Sequence, residues 1–170
     1  IEPPKKTIEA KVSPREYLFV VDVSGSMMGY PIDVAKSLIK DLLGNLRPED
    51  RFNVLLFSAD NKVFKEESIR ATDKNIKLAF QFLTGQFVNY GGGTRLLNAL
   101  KKAYSLPRKL ESTSRTMVVI TDGYVSVEEL RDGFYKENDF KQNDIMLVLK
   151  PTGYSLESNH STYDKEILGE

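Results

Sequence analysis

Apolar residues in this chain fall into two patterns that alternate along its length. The first is the short continuous run: YLFVV from Tyr17 to Val21, FNVLLFS from Phe52 to Ser58, TMVVIT from Thr116 to Thr121, and DIMLVLK from Asp144 to Lys150. Such runs predict strands buried on both faces. Lys62 to Ile69 partly alternates and carries charge, which predicts an edge strand, and the short Ala59–Asn61 turn before it predicts antiparallel pairing with its predecessor. The second pattern recurs at helical spacing. Ile32, Ala35, Leu38, Ile39, Leu42, Leu43 and Leu46 form one stripe, with Pro31 suited to the first turn, Gly44 unfavourable inside it and Pro48 as its stop. A second stripe, Ile76, Ala79, Phe80 and Leu83, follows a cap at Thr72 or Asp73, and a third, Leu96, Leu97, Leu100, Ala103 and Tyr104, is stopped by Pro107. Val127 to about Tyr135 predicts a further helix, and Ser161 to Leu168 reads as the start of a last one capped by Ser161 or Thr162.

Strands alternating with helices predict a doubly wound α/β domain with a mostly parallel sheet covered on both faces. In that architecture ligands bind beyond the carboxyl ends of the strands, where the strand order reverses. Residues 1–16 are rich in proline and lysine and read as a lead-in, leaving residues 17–170 as the domain. The first residue is Ile1 rather than Met, so the chain is expected to be a piece of a longer protein.

Composition narrows the chemistry. The 170 residues carry 24 basic and 24 acidic side chains, which argues against nucleic acid as a partner. No apolar run approaches the roughly 20 residues of a membrane span, so no direct membrane insertion is expected. The absence of cysteine removes thiol catalysis and zinc–thiolate sites. The single histidine, His160, sits in a polar stretch and reads as solvated.

What remains is oxygen chemistry in three loops. VVDVSGSMMG, from Val20 to Gly29, leaves the first strand and offers Asp22, Ser24 and Ser26; GGGT, from Gly91 to Thr94, opens the third helix; and Thr121-Asp122-Gly123 leaves another strand. Asp22, Ser24 and Ser26 stand at alternate positions, which in an extended turn point the same way. With Thr94 and Asp122 they make a set of hard oxygen donors suited to Mg²⁺, Mn²⁺ or Ca²⁺. The bland alternative is that these are turn and cap residues. A serine nucleophile lacks the Gly-x-Ser-x-Gly elbow, and no Gly-x-x-x-x-Gly-Lys-Ser/Thr phosphate loop is present. Hydrolysis by a metal-bound water stays open, although no general base suggests itself.

FVVDVSGSM, GGGT and VVITDG, in this order, resemble the von Willebrand factor A domain family and its Asp-x-Ser-x-Ser, Thr, Asp metal-ion-dependent adhesion site. LRPEDRFNVLLFS and GGGTRLLNAL look most like the inter-α-trypsin-inhibitor heavy-chain type and its bacterial relatives. The resemblance implies a six-stranded, mostly parallel sheet with one antiparallel edge strand. It implies Mg²⁺ held by Ser24, Ser26 and Thr94, with Asp22 and Asp122 acting directly or through water. It implies a non-catalytic binding module whose open coordination position takes a Glu or Asp carboxylate of a protein partner. Such a module is expected outside the cytoplasm, in the cell envelope or secreted. Some relatives suggest instead an accessory subunit of a chelatase or ATPase assembly, and a metal-dependent hydrolase is a third alternative.

Overall fold

The computed structural model describes residues 14–86, 95–108, 113–123, 127–136, 138 and 140–151. Six strands form one sheet: β1 (Glu16–Asp22), β2 (Arg51–Phe57), β3 (Asn61–Val63), β4 (Ile69–Arg70), β5 (Arg115–Ile120) and β6 (Ile145–Leu149). The order is β3-β2-β1-β5-β6, with β4 also paired to β2. β1 lies parallel to β2 and β5, and β5 parallel to β6, while β3 and β4 run antiparallel to β2. The sheet is therefore mixed and mostly parallel, as the alternation of patterns predicts.

The helices are α1 (Tyr30–Gly44), α2 (Asp73–Gln86), α3 (Leu96–Tyr104) and α4 (Val127–Leu130), the last continuing into a widened π turn, Arg131–Tyr135. Strand alternation sends Phe19, Val21, Phe52, Val54 and Leu56 to one face, where α1 presents Ile32, Ala35, Ile39 and Leu43 and α2 presents Ala79 and Leu83. Leu18, Val20, Leu55, Phe57, Met117 and Val119 go to the other face, against Ala99, Leu100 and Ala103 of α3 and Leu130 and Phe134. Burying each large side chain stabilises the fold by about 1.5–3 kcal/mol. Two wound layers on a parallel sheet follow from those two stripes.

Several boundaries differ from the periodicity. α1 ends at Gly44, four residues short of Pro48, with Asn45 closing its last turn. Thr72 caps α2, its Oγ1 accepting from the Asn75 amide at 3.3 Å. The expected single edge strand over 62–69 is in two pieces. Asn53, a polar residue inside an apolar run, causes the break: its Nδ2 donates to the Lys65 carbonyl at 2.8 Å and its Oδ1 accepts from the Lys65 amide at 3.1 Å. A side-chain amide thus takes the place of a backbone ladder pair and holds the edge chain off β2. The π turn brings Gly133 against α3, where an added Cβ would lie 3.3 Å from Leu97 Cδ1. Most of the lead-in, His160 and the predicted helix from Ser161 lie outside the described residues.

Charged residues lock the amino-terminal edge of the sheet. Glu16, assigned above to the lead-in, is the first residue of β1 and is buried at 3% exposure. It accepts from Arg115 Nε at 2.7 Å and Nη2 at 3.0 Å, a two-pronged pair. Arg115 also donates to the carbonyls of Tyr104 and Leu106. Asp144 accepts from Arg108 Nη2 at 2.6 Å, Tyr104 Oη at 2.7 Å and the Arg115 amide at 2.9 Å. Burial alone would raise the Asp144 carboxyl, but these donors outweigh it and hold it below the usual carboxylate range. Asp50 behaves likewise, desolvation being overcome by Arg47 and by the amides of Arg15 and Arg47. This edge ties β1, β5, β6 and α3 into one frame and leaves the opposite edge as the place where loops converge.

Candidate functional site

The carboxyl ends of β1 and β5 meet at the centre of that opposite edge. β1 is flanked by β2 and β5, so the chain leaves it to one side first and later returns on the other. Val21 stands opposite Ile120 in register, which places Asp22, the last residue of β1, beside Thr121. This is the reversal point expected to hold a ligand.

Four of the five candidate residues come together there. Asp22 is fully buried; its Oδ1 accepts from the Ser24 amide at 2.8 Å and its Oδ2 from Thr121 Oγ1 at 2.6 Å. Ser24 Oγ lies 3.2 Å from Ser26 Oγ, and Ser26 Oγ donates to Asp122 Oδ1 at 3.0 Å. Ser24 is buried, whereas Ser26 and Asp122 are exposed, so the oxygens form a chain that rises from the core to the surface.

The route to this arrangement differs from the extended turn predicted above. Ser24 is extended, with φ −67° and ψ 166°, but Gly25–Met27 is a single 3₁₀ turn. Simple alternation therefore stops at Ser24. The turn closes through the Met27 amide to the Ser24 carbonyl at 3.0 Å, and it folds Ser26 back over Ser24. Met27, fully buried, anchors the turn in the core.

Thr94 lies outside the described residues, but its neighbour Arg95 is tied to the same edge. The Arg95 amide donates to the Ser58 carbonyl at 3.0 Å, and the Val23 amide donates to the Phe57 carbonyl at 2.8 Å. Arg95, just before α3, and Val23, just after β1, thus hang from consecutive carbonyls at the end of β2.

The periodicity passes over Thr121. It is buried, donates to Asp22 and accepts from the Gly123 amide at 3.0 Å. One hydroxyl therefore orients the buried carboxylate and shapes the turn that carries Asp122. The signal available in the sequence is a hydroxyl residue between an apolar strand and Asp-Gly.

The donors suit a hard cation. Mg²⁺ binds oxygen at about 2.1 Å in near-octahedral geometry, so adjacent ligand oxygens stand about 3.0 Å apart. The Ser24–Ser26 and Ser26–Asp122 separations, 3.2 and 3.0 Å, are hydrogen-bond distances, and they leave the three oxygens close enough together to face one ion. Among the described residues no group of three or more His, Cys, Asp or Glu side chains could hold a metal ion; the described oxygens at this edge are two carboxylates, with hydroxyls beside them. Hard, largely neutral oxygens select against zinc and copper.

The von Willebrand factor type A domain model matches residues 17–125, a span that contains Asp22, Ser24, Ser26, Thr94 and Asp122. Inter-alpha-trypsin inhibitor heavy chain H3 of Pongo abelii is 32% identical over 132 residues, 75% of this chain and 15% of that protein. The chain thus spans about 15% of the length of the heavy chains it matches. Among solved structures, an aerotolerance-related membrane protein from Bacteroides fragilis superposes with a TM-score of 0.60 at 21% identity, over 80% of this chain and 66% of that one. The vWF domain of the type V pili tip protein Mfa5 from Porphyromonas gingivalis gives 0.51 at 16% identity, over 65% and 38%. Fold, motif order and sequence likeness agree, and the chain belongs to the von Willebrand factor type A domain family.

Proposed function

We propose that this domain is a non-catalytic, metal-dependent protein-binding module whose cation is held by Ser24, Ser26 and Thr94, with Asp22 and Asp122 acting directly or through water. The observation that carries the reading is the hydrogen-bonded chain of oxygens from Ser24 through Ser26 to Asp122, gathered beside a buried Asp22. A bound Mg²⁺, with Mn²⁺ or Ca²⁺ as alternatives, supplies an electron-poor centre that attracts an anionic oxygen. Asp22 contributes negative charge from beneath, Thr121 and the Ser24 amide hold it in place, and Ser26 and Asp122 stand at the solvent mouth. The partner group is a Glu or Asp carboxylate presented by another protein.

Ser26 donates to the Asp122 carboxylate and lacks the Gly-x-Ser-x-Gly elbow of a serine nucleophile, which favours ligand over nucleophile. No described helix is long and apolar enough to cross a membrane. Relatives named as inhibitor heavy chains and a pili tip protein favour a setting outside the cytoplasm, in the envelope or secreted. Calorimetric titration of Mg²⁺ into the domain and into Asp22→Ala tests the site. Heat of binding is expected only for the parent, and equal heats for the two proteins refute the assignment. Saturation at a hundred times Kd should also stabilise the parent by about 2.7 kcal/mol.

A further inference from the structure

The amino-terminal edge of the sheet holds more positive charge than the acids around it neutralise. Arg51 and Arg70 stand directly opposite each other in β2 and β4; Glu16 of β1 is in register with Arg51 on one side and with Arg115 of β5 on the other. Residues in register point to the same face, so one row across the sheet carries three arginines and one glutamate. Glu16 is taken by Arg115 and by the Ser68 hydroxyl, which leaves Arg51 and Arg70 facing each other. Like charges directly opposite on paired strands are destabilising, and here no described acid pairs with either.

These two side chains border a cavity of about 380 Å³, with Arg15 and Thr113 also in its wall. Arg15 too is without an ion pair among the described residues. Glu49 borders the cavity as well, but its Oε1 lies 3.6 Å from Arg47 Nη1. The frame that carries the charge is fixed. Arg51 is half-buried, and its Nη1 donates to the Ser68 carbonyl at 3.2 Å, so the residue that holds Glu16 also orients this guanidinium. Arg15 is held through its backbone: its amide donates to Asp50 Oδ1 at 3.0 Å and its carbonyl accepts from the Arg51 amide at 2.8 Å. Groups already held in place lose less freedom when a ligand binds.

We infer that the cavity walled by Arg15, Arg51 and Arg70 binds a tetrahedral oxyanion, phosphate or sulfate, free or as the ester group of a small ligand. Three guanidinium forks offer more N–H donors than the two oxygens of one carboxylate accept, whereas a phosphate or sulfate ester presents three terminal oxygens, and an arginine fork meets such oxygens two at a time. The cavity falls in the range of about 300–1,000 Å³ that holds small organic ligands, so it has room for the group that carries the anion. It lies at the opposite end of the sheet from Asp22 and Asp122 and is independent of the reading of those residues as a cation site.

Amide NMR of the ¹⁵N-labelled domain in metal-free buffer, titrated at constant ionic strength with inorganic phosphate, inorganic sulfate, glycerol 3-phosphate or acetate, tests this. The first three should shift the Arg15, Arg51, Arg70 and Thr113 amides along saturable curves, and acetate should bind roughly tenfold or more weakly. Arg15→Gln and Arg70→Gln change exposed side chains. Together they should weaken phosphate binding roughly tenfold or more, and each alone should fall between the double variant and the parent. Without anion, Arg70→Gln should melt at or above the parent's Tm, because it removes one of two opposed charges. Arg131→Gln, which removes the same charge from an exposed arginine paired with Asp132, should bind phosphate as the parent does. Tighter binding of glycerol 3-phosphate than of inorganic phosphate identifies an ester as the ligand, and equal binding identifies the free anion; both uphold the site. Absence of saturable shifts, parent-like affinity in the double variant, or acetate bound as tightly as phosphate overturns it.

Discussion

Thr121→Val removes a hydroxyl and keeps the shape, so it isolates what that hydroxyl does. Two hydrogen bonds disappear: the one donated to Asp22 Oδ2 at 2.6 Å and the one accepted from the Gly123 amide at 3.0 Å. The first costs more, because Asp22 is fully buried and its carboxylate loses one of its donors. A hydrogen bond to a buried charged group is worth about 1.5–3 kcal/mol. At this chain length a loss of 1 kcal/mol lowers Tm by about 2–4 °C, so the metal-free variant should melt about 3–12 °C below the parent. The site should suffer as well, since residues that orient metal-binding groups typically contribute 10–100-fold, roughly, to metal affinity. At a Mg²⁺ concentration that stabilises the parent by about 2.7 kcal/mol, a variant with tenfold weaker binding should gain only about 1.4 kcal/mol. Urea unfolding in EDTA and in Mg²⁺ measures both quantities, and Thr121→Ser, which keeps the hydroxyl, should restore both. Equal midpoints for Thr121→Val and the parent in EDTA would refute the positioning role of Thr121. An unchanged Mg²⁺ increment would refute its link to the cation site.

The amino-terminal edge supplies the remaining tests. Arg115→Met strands the buried Glu16 carboxylate and should cost about 3–5 kcal/mol in urea unfolding, while the double variant Glu16→Leu, Arg115→Met should recover part of that loss. A double variant no more stable than Arg115→Met would show that packing, not stranded charge, sets the cost. Asp50 and Asp144 are both held below the usual carboxylate range in the fold, so their contribution is present above the unfolded value of about 3.9 and is lost as pH falls through their folded values. Stability should therefore be flat through neutral pH and fall with acid below about pH 4. Asp144→Asn should flatten that acid limb, and an unchanged acid limb would contradict the assignment.

Apolar periodicity carried the fold further than it carried the edges. The continuous runs and helical stripes place β1, β2, β5, β6 and the first three helices within a few residues, because burial on two faces or one leaves those patterns directly in the order of residues. Glu16 and Arg115 escaped it. Each is charged and buried, and each finds its countercharge in the other, 99 positions away. A pairing at that separation has no local signature. Asn53 did leave one, a polar residue in an apolar run, but its meaning, a side-chain amide standing in for a strand and splitting the edge into β3 and β4, required the partner Lys65 to be seen. The four described oxygen residues of the site were legible because type and loop position suffice to suggest them. The 3₁₀ turn that gathers the serines was not, since it departs from simple alternation, and the Thr121 hydroxyl on Asp22 was not, since that contact depends on β1 and β5 meeting in register.

The two ends of the sheet also separate carboxylates by what neutralises them. At the amino-terminal edge Glu16 meets Arg115, Asp144 meets Arg108 and Asp50 meets Arg47, so each acid finds its countercharge within the protein. At the carboxyl-terminal edge, among the described residues, Asp22 accepts from the Ser24 amide and the Thr121 hydroxyl, and Asp122 from the Ser26 hydroxyl, all neutral donors. Neutral donors orient a carboxylate without cancelling its charge, and the cost of burying Asp22 on those terms would fall on binding the proposed cation. The same argument says why Ser24 and Ser26 matter as hydroxyls. Replacing Ser26 by Asp would add charge to the mouth, hold the proposed cation more tightly and leave it less able to attract a partner's carboxylate. Such a variant should bind Mg²⁺ more strongly and acidic peptides more weakly, a divergence that a role in turn stability alone does not produce.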